Sequence, residues 1–350
     1  MVRPDVKVFT PGRQGLITAA TATAILASAL ISMASAPAQA EAPRLGLPID
    51  CSFGVDCFIQ QYVDTDPSDQ ARDFRGGLLS YQNHTGTDFA LLTRHQMRVG
   101  VSVIAAADGR VVGVRNNMPD GQFLREGPKS LNGKDCGNGV NLDHGDGWST
   151  QYCHLRKGSV TLRPGQLVRA GDALGLVGMS GRAAFPHVHL SVNQGKLKID
   201  PFTGRAINGT CNRADCNRPL WRPATARTLA YRPGGLIDSG FSDATITYDK
   251  IKDGTAKQNR ISVTADAITL YAFGYGSRMG DVISISITGP GATRPTTHQT
   301  TLKRNQAQFS RWFGIRRPQG GWQKGIYQGT VTIQRAGRIL QIKKSKMLIR

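Results

Sequence analysis

His187-Val188-His189-Leu190-Ser191-Val192 alternates in steps of two. That is the period of a β-strand, and it puts both imidazoles on one sheet face and Val188 on the other. Short β-branched runs closed by Gly turns surround it at Gly109–Val114, Gly139–Asp143, Thr150–Leu155, Gln166–Val168 and Leu174–Gly178. Helical periodicity is scarce, and no repeat of 20–50 residues is present. Residues 76–205 are therefore predicted to form an antiparallel sheet with tight hairpins. A Cys-containing lead segment, 41–75, precedes this region. The loop from Asn116 to Asp135, rich in Gly, Pro, Asn and Asp, either overhangs a cleft or is a floppy surface loop. A Cys/Pro-rich linker, 206–234, follows the region. Beyond the linker, Ile283-Ser284-Ile285-Ser286-Ile287 and Thr330-Val331-Thr332-Ile333 are half-buried strands by the same period. Residues 235–350 are predicted to hold about seven strands at the spacing of a small β-sandwich. The expected fold class is all-β, with an accessory domain at the C-terminal end.

Charge divides the chain unevenly. Residues 41–222 hold 21 basic and 17 acidic side chains, whereas 223–350 hold 20 basic and 6 acidic, a net +14. A field of that sign draws the accessory region toward anionic polymers, among them cell wall and lipid headgroups. Arg3, Lys7 and Arg13 precede a charge-free stretch from Gly15 to Ser35 and an Ala38-Gln39-Ala40 end. Basic head, apolar middle and small-residue cleavage site predict a secretory signal over 1–40 and export, most simply to the periplasm, with secretion beyond the cell or an uncleaved N-terminal anchor as the alternatives. Nucleic acid is not an expected partner of an exported protein. All six cysteines lie after position 40 and no C-x-x-C pair occurs, so disulfides are expected in place of a zinc knuckle. Local closeness suggests Cys51–Cys57, Cys136–Cys153 and Cys211–Cys216.

Four of the seven histidines form a pattern. His84-Thr85-Gly86-Thr87-Asp88 can curl an imidazole and a carboxylate onto one ion around a flexible Gly. His187 and His189 share a strand face. In Tyr152-Cys153-His154-Leu155, regular alternation sends His154 to one face and Cys153 to the other. A catalytic zinc site takes three protein ligands and keeps a fourth position open for water. Two His and one Asp fill that set. One of His187 and His189 is expected to ligate while its neighbour faces the reacting carbonyl, and the strand alone does not say which. His144, in an Asp-His-Gly-Asp-Gly turn, reads as structural, and His95 and His298 as surface residues. Arg182 either contacts a substrate carboxylate or flanks a Gly turn; Tyr152 either lines the cleft or packs in the core.

These residues resemble the lysostaphin-type zinc metalloendopeptidase family of peptidoglycan hydrolases. The resemblance runs over roughly Ser80–Phe202. It rests on His84–Asp88, Gly-Asn-Gly-Val at 137–140, Asp143-His144-Gly145, Tyr152–Leu155, Pro164-Gly165-Gln166, Gly171-Asp172, Ser180-Gly181-Arg182, Pro186–Leu190 and Asp200-Pro201-Phe202. It implies an antiparallel-sheet zinc peptidase domain holding one Zn²⁺ through His84, Asp88 and His189. His154 and His187 are then the non-ligand catalytic histidines and peptidoglycan the substrate. The departure is Cys153, where many relatives carry a small residue. A bond to Cys136 on the outer face would stiffen the strand bearing His154. A non-hydrolytic wall-binding regulator is the alternative, although relatives of that kind usually lose ligands and none is lost here.

Overall fold

In the computed structural model, residues 41–211 and 216–350 are described, so the expected signal segment at 1–40 lies outside the described residues. The N-terminal part of the described chain contains β1 (Cys57–Gln61), β2 (Thr87–Leu91), β3 (Ser102–Ile104), β4 (Gly109–Arg115) and β5 (Asn138–Gly145). It continues through β6 (Trp148–Leu155), β7 (Leu167–Val168), β8 (Ala173–Leu176), β9 (His187–Gln194) and β10 (Leu197–Ile199). Two short helices interrupt it, α1 (Arg94–Val99) and α2 (Gln122–Glu126). The main sheet runs β1-β2-β9-β6-β5-β4-β7, with β10 hairpinned onto β9, and its pairings are antiparallel. The fold is all-β, as the alternation indicated. Among the described residues no helix is long and apolar enough to cross a membrane.

After α3 (Pro223–Thr228) come β11 (Gly235–Ser242), α4 (Tyr248–Asp253), β12 (Arg260–Ile261), β13 (Ala267–Ser277) and β14 (Val282–Thr288). Then follow β15 (Thr296–Thr301), β16 (Gln306–Arg316), β17 (Gly325–Arg335) and β18 (Arg338–Ile349). They form a three-stranded sheet, β11-β13-β16, and a five-stranded one, β12-β18-β17-β14-β15. Ile268, Leu270, Ala272, Ile283, Ile285, Ile287, Phe309, Val331 and Ile333 fill the space between them. The opposite face of β13 is buried too. Tyr271, Phe273 and Tyr275 join the same apolar cluster as Phe58, Phe89, Trp148 and Leu190 of the first part. A strand covered on both faces loses the apolar–polar alternation, and Ala272-Phe273 accordingly sit side by side with neither exposed.

Three features of this frame deliver the chain to the site. Asp64 and Asp73, both buried, accept backbone N–H bonds from Arg72 and Asn83 and from Gly77 and Leu79, so the loop between β1 and His84 is held by its own carboxylates. Asn138, wholly buried, ties the 116–135 loop to β6 by accepting the Met118 N–H and donating to the Met118 and Leu155 carbonyls. The cysteines pair as Cys51–Cys57, Cys136–Cys153 and Cys211–Cys216.

Candidate metal centre and cleft

One row of directly opposed residues crosses four strands: Gln61 opposite Asp88, Asp88 opposite His189, and His189 opposite Cys153. Opposed residues in an antiparallel sheet share a face, with Cβ atoms about 4.5–5.5 Å apart. Asp88 and His189 therefore meet, while Val188 points into the core with no exposed surface. His84 lies just before β2 and folds back onto the same spot. Its Nε2 is 3.1 Å from Asp88 Oδ1 and 3.1 Å from His189 Nδ1, and His189 Nδ1 is 2.8 Å from Asp88 Oδ1. Gly86 makes this possible by its lack of bulk. A Cβ there would stand 2.4 Å from His189 Nε2 and 2.7 Å from the Leu190 carbonyl oxygen.

The donor set fits a divalent cation. Metal–ligand bonds of ~2.0–2.1 Å in a tetrahedron separate the donors by about 3.3 Å, close to the three spacings found. The other ring nitrogens are engaged: His84 Nδ1 donates to the Tyr62 carbonyl at 2.7 Å, and His189 Nε2 is 3.0 Å from Ser191 Oγ. Such outer bonds fix the ring orientation of metal-binding histidines. They leave two imidazole lone pairs and a carboxylate converging, an arrangement that is repulsive unless a cation or proton sits among them. Burial alone would raise Asp88, but His84 and His187 outweigh it and hold the carboxyl well below the usual range. Burial also works against a charged His84, yet Asp88 prevails and its imidazole is raised. Burial pushes His189 down. The group is thus able to hold a metal ion.

Two more imidazoles face this triad across the mouth. His187 Nε2 is 3.7 Å from Asp88 Oδ1, and the His154 and His187 ring centroids are 4.6 Å apart. Each has its Nδ1 against a backbone carbonyl, Ser180 for His154 at 2.8 Å and Phe185 for His187 at 2.7 Å. A carbonyl only accepts, so Nδ1 carries the hydrogen and Nε2 is left as the free, basic nitrogen. Burial, reinforced by His187 and His189, holds His154 well below its usual value, in the neutral form.

The orientation of His154 differs from the regular alternation expected of its strand. Its φ is +66°, left-handed for a residue with a side chain. The turn brings His154 to the same side as Cys153, so the Cys136–Cys153 disulfide lines the cleft and not the outer face. His154 is held there by its own N–H, which donates to the Cys136 carbonyl at 2.8 Å. The cleft, about 670 Å³, is also walled by Tyr81, Gln60, Gln61, Phe123, Arg182 and Phe185. Phe123 comes from the 116–135 loop, which of its two readings takes the one that borders the cleft. Arg182 lines the mouth, largely exposed and 3.9 Å from Asp135. Tyr81 stacks on His84 with centroids 4.3 Å apart, and Gln61 is buried with its Oε1 unpartnered. Sequence reasoning missed both. Tyr81 carries only its proximity to His84 as a signal, and Gln61 carries none, since a strand pairing across 27 residues leaves no local trace.

The remaining candidates sit apart. His144 bridges the Asp108 carbonyl and Thr150 Oγ1 at 2.6 and 2.8 Å, a structural position. Tyr152 is core, its hydroxyl oxygen accepting the Ala106 N–H. His95 is exposed, and His298 stacks on Phe313 at the surface of the C-terminal sheets.

Residues 82–201 match the family described as Peptidase family M23. The chain is 35% identical over 106 residues to the peptidoglycan DD-endopeptidase ShyA of Vibrio cholerae, an alignment covering 30% of this chain and 19% of that protein. It is 31% identical over 109 residues to ShyB of the same organism, covering 31% and 20%. The chain thus spans about a fifth of the length of these relatives. The solved catalytic domain of the M23 protein EnpA from Enterococcus faecalis is 25% identical, with a TM-score of 0.27, covering 44% of this chain and 87% of that one.

Proposed function

We propose, from the match of residues 82–201 to peptidase family M23, that the protein is an exported, most simply periplasmic, zinc-dependent endopeptidase that hydrolyses peptide bonds in the stems or cross-links of peptidoglycan. The observation that carries the reading is the convergence of His84 Nε2, Asp88 Oδ1 and His189 Nδ1 opposite two histidines whose free nitrogens face the same cleft. One Zn²⁺ would be held by His84, Asp88 and His189. When bound, it would supply Lewis acidity and lower the pKa of a water to ~7.

The chain's own groups do the rest. The scissile carbonyl lies between the triad and the His154–His187 pair. His154, kept neutral by burial, takes the proton of the attacking water at Nε2. His187, across from it, is placed to hydrogen-bond the developing oxyanion. The proton passes to the leaving amine. Ser191 and the Tyr62 carbonyl keep the ligand rings aimed; the Ser180 and Phe185 carbonyls do the same for the catalytic pair.

Purified wall material and defined cross-linked muropeptides, incubated with wild type, His189→Ala, His154→Ala and wild type plus chelator, test this. Cleavage is expected only from wild type, with zinc restoring the chelated enzyme. Mass spectrometry of the fragments identifies the bond. Cleavage that persists without metal overturns the mechanism. Zinc and wall binding without any cleavage favours the non-hydrolytic regulator.

A further inference from the structure

The cleft does not end at the peptidase sheet. Gln60, on its wall, accepts a hydrogen bond at 3.1 Å from Gln308 of β16, and Gln308 accepts one at 2.8 Å from the Tyr248 hydroxyl of α4. Phe185, also on the wall, lies edge-on to Phe273 of β13 with centroids 6.5 Å apart. The face that β13 buries against the first part is therefore carried out to the cleft rim by β16. β16 pairs with β13 without a register break from Ala267 opposite Arg316 to Tyr275 opposite Gln308. The face that begins at Gln308 thus runs on through Ser310, Trp312 and Arg316. At ~3.4 Å per residue this is a track of about 27 Å. β16 is the edge strand of its sheet.

The side chains on the track are unusual for a free surface. Trp312 is 52% exposed, although its sheet partner Tyr271 is buried. Tyr248, 38% exposed, packs beside Phe273 with the Lys252 ammonium 4.6 Å from its ring centre. Arg316 closes the track, in a region carrying 20 basic and 6 acidic residues. Flat aromatic faces flanked by amides and cations suit a carbohydrate chain. The C–H face of a pyranose ring packs on an indole or phenol, hydroxyls take hydrogen bonds from the amides, and carboxylates on attached peptides are drawn to the cations.

We propose that Tyr248, Gln308, Trp312 and Arg316 form an extension of the cleft that holds the glycan strand whose peptide branch enters the metal centre. The proposal rests on the peptidoglycan endopeptidase reading. In the full chain, Trp312→Ala and Arg316→Glu, with Trp312→Phe as the conservative variant, are compared by co-sedimentation with purified sacculi. Cleavage of sacculi is set against cleavage of a soluble cross-linked stem-peptide dimer that carries no sugar. Trp312→Ala is expected to weaken sacculus binding about tenfold, and the ratio of sacculus to dimer cleavage falls with it. Trp312→Phe recovers most of both, and thermal melts report the fold of each variant. Sacculus binding equal to wild type in both disruptive variants overturns the proposal, as does a loss seen only on anionic lipid vesicles. If wild type cuts neither substrate, the endopeptidase reading fails, and the binding series still decides the track.

Discussion

Gly86→Ala is a test of the ligand set that touches no ligand. The φ of Gly86 is not left-handed, so the backbone tolerates any residue there, and what matters is space. The added methyl would stand 2.4 Å from His189 Nε2 and 2.6 Å from its Cε1, with the Leu190 carbonyl oxygen at 2.7 Å blocking retreat into the sheet. Carbon contacts are comfortable at about 3.5–4.0 Å, so the imidazole has to move by roughly 1 Å. Metal–ligand distances tolerate only about 0.2 Å. The shift therefore removes His189 from the ion, and zinc affinity should fall by at least about a hundredfold. Overpacking of this size costs the fold about 1–3 kcal/mol, leaving a folded protein whose melting temperature no longer rises with zinc. Gly320→Ala, where a Cβ meets nothing within 4 Å, is the matched control. Competition titration against a zinc-binding dye and melts with and without zinc give the readout. Wild-type zinc affinity in Gly86→Ala would refute the placing of His189 as a ligand.

At His154, Ala keeps the left-handed φ of +66° under strain while Gly relieves it. Both variants should be inactive on muropeptides, with His154→Gly more stable than His154→Ala by about 1 kcal/mol in denaturant titration; the reverse order would show that the native φ is not retained. The Cys136–Cys153 bridge closes a sequence separation of 17 residues. Replacing both cysteines with serine should cost about 3 kcal/mol by loop entropy and lower activity as the His154 turn loosens. Equal activity with lower stability would separate the bridge from the site. Burial pushes the His144 imidazole below its usual value. A histidine that resists protonation when folded favours the folded state while neutral, so its contribution is present above the unfolded value of ~6.5 and is lost as pH falls through it. The melting temperature of wild type relative to His144→Gln should thus decline from about pH 7.5 to about pH 5; a flat difference would rule out His144 as the titrating group.

How far such features show in the sequence depends on the range of the interaction behind them. The period of two in His187–Val192 placed both imidazoles on one face, and Val188 lies in the core as that period requires. The same rule placed Ile283, Ile285 and Ile287 correctly between the C-terminal sheets. The family resemblance favours His189 over His187 as ligand, and register sets the two apart: His189 stands opposite Asp88, His187 opposite Ala90. Register is set by the whole sheet and has no local code. For the same reason Gln61 was invisible. Strand alternation and spacing put Tyr271 and Phe273 in an accessory sandwich, and nothing local announces that their face is buried in the apolar cluster of the first part.

The error at Cys153–His154 is the most informative, because a regular strand cannot do what the site requires. Adjacent residues on a pleated strand face opposite ways, yet here the disulfide sulfur and the imidazole both border the cleft. Cys153 occupies the row position opposite His189. A histidine at that position would crowd the ligand, whereas one at 154 on a regular strand would point away from it. A single left-handed residue resolves the conflict, at a cost of about 1–2 kcal/mol. The bond from its N–H to the Cys136 carbonyl and the bond from its Nδ1 to the Ser180 carbonyl hold it in place. Two of the three proposed metal-binding donors, Asp88 and His189, thus come from directly paired positions, and the proposed proton-handling group comes from the left-handed one. This division follows from geometry: three donors must converge on one point, while the base has to stand off from it by the width of a carbonyl and a water.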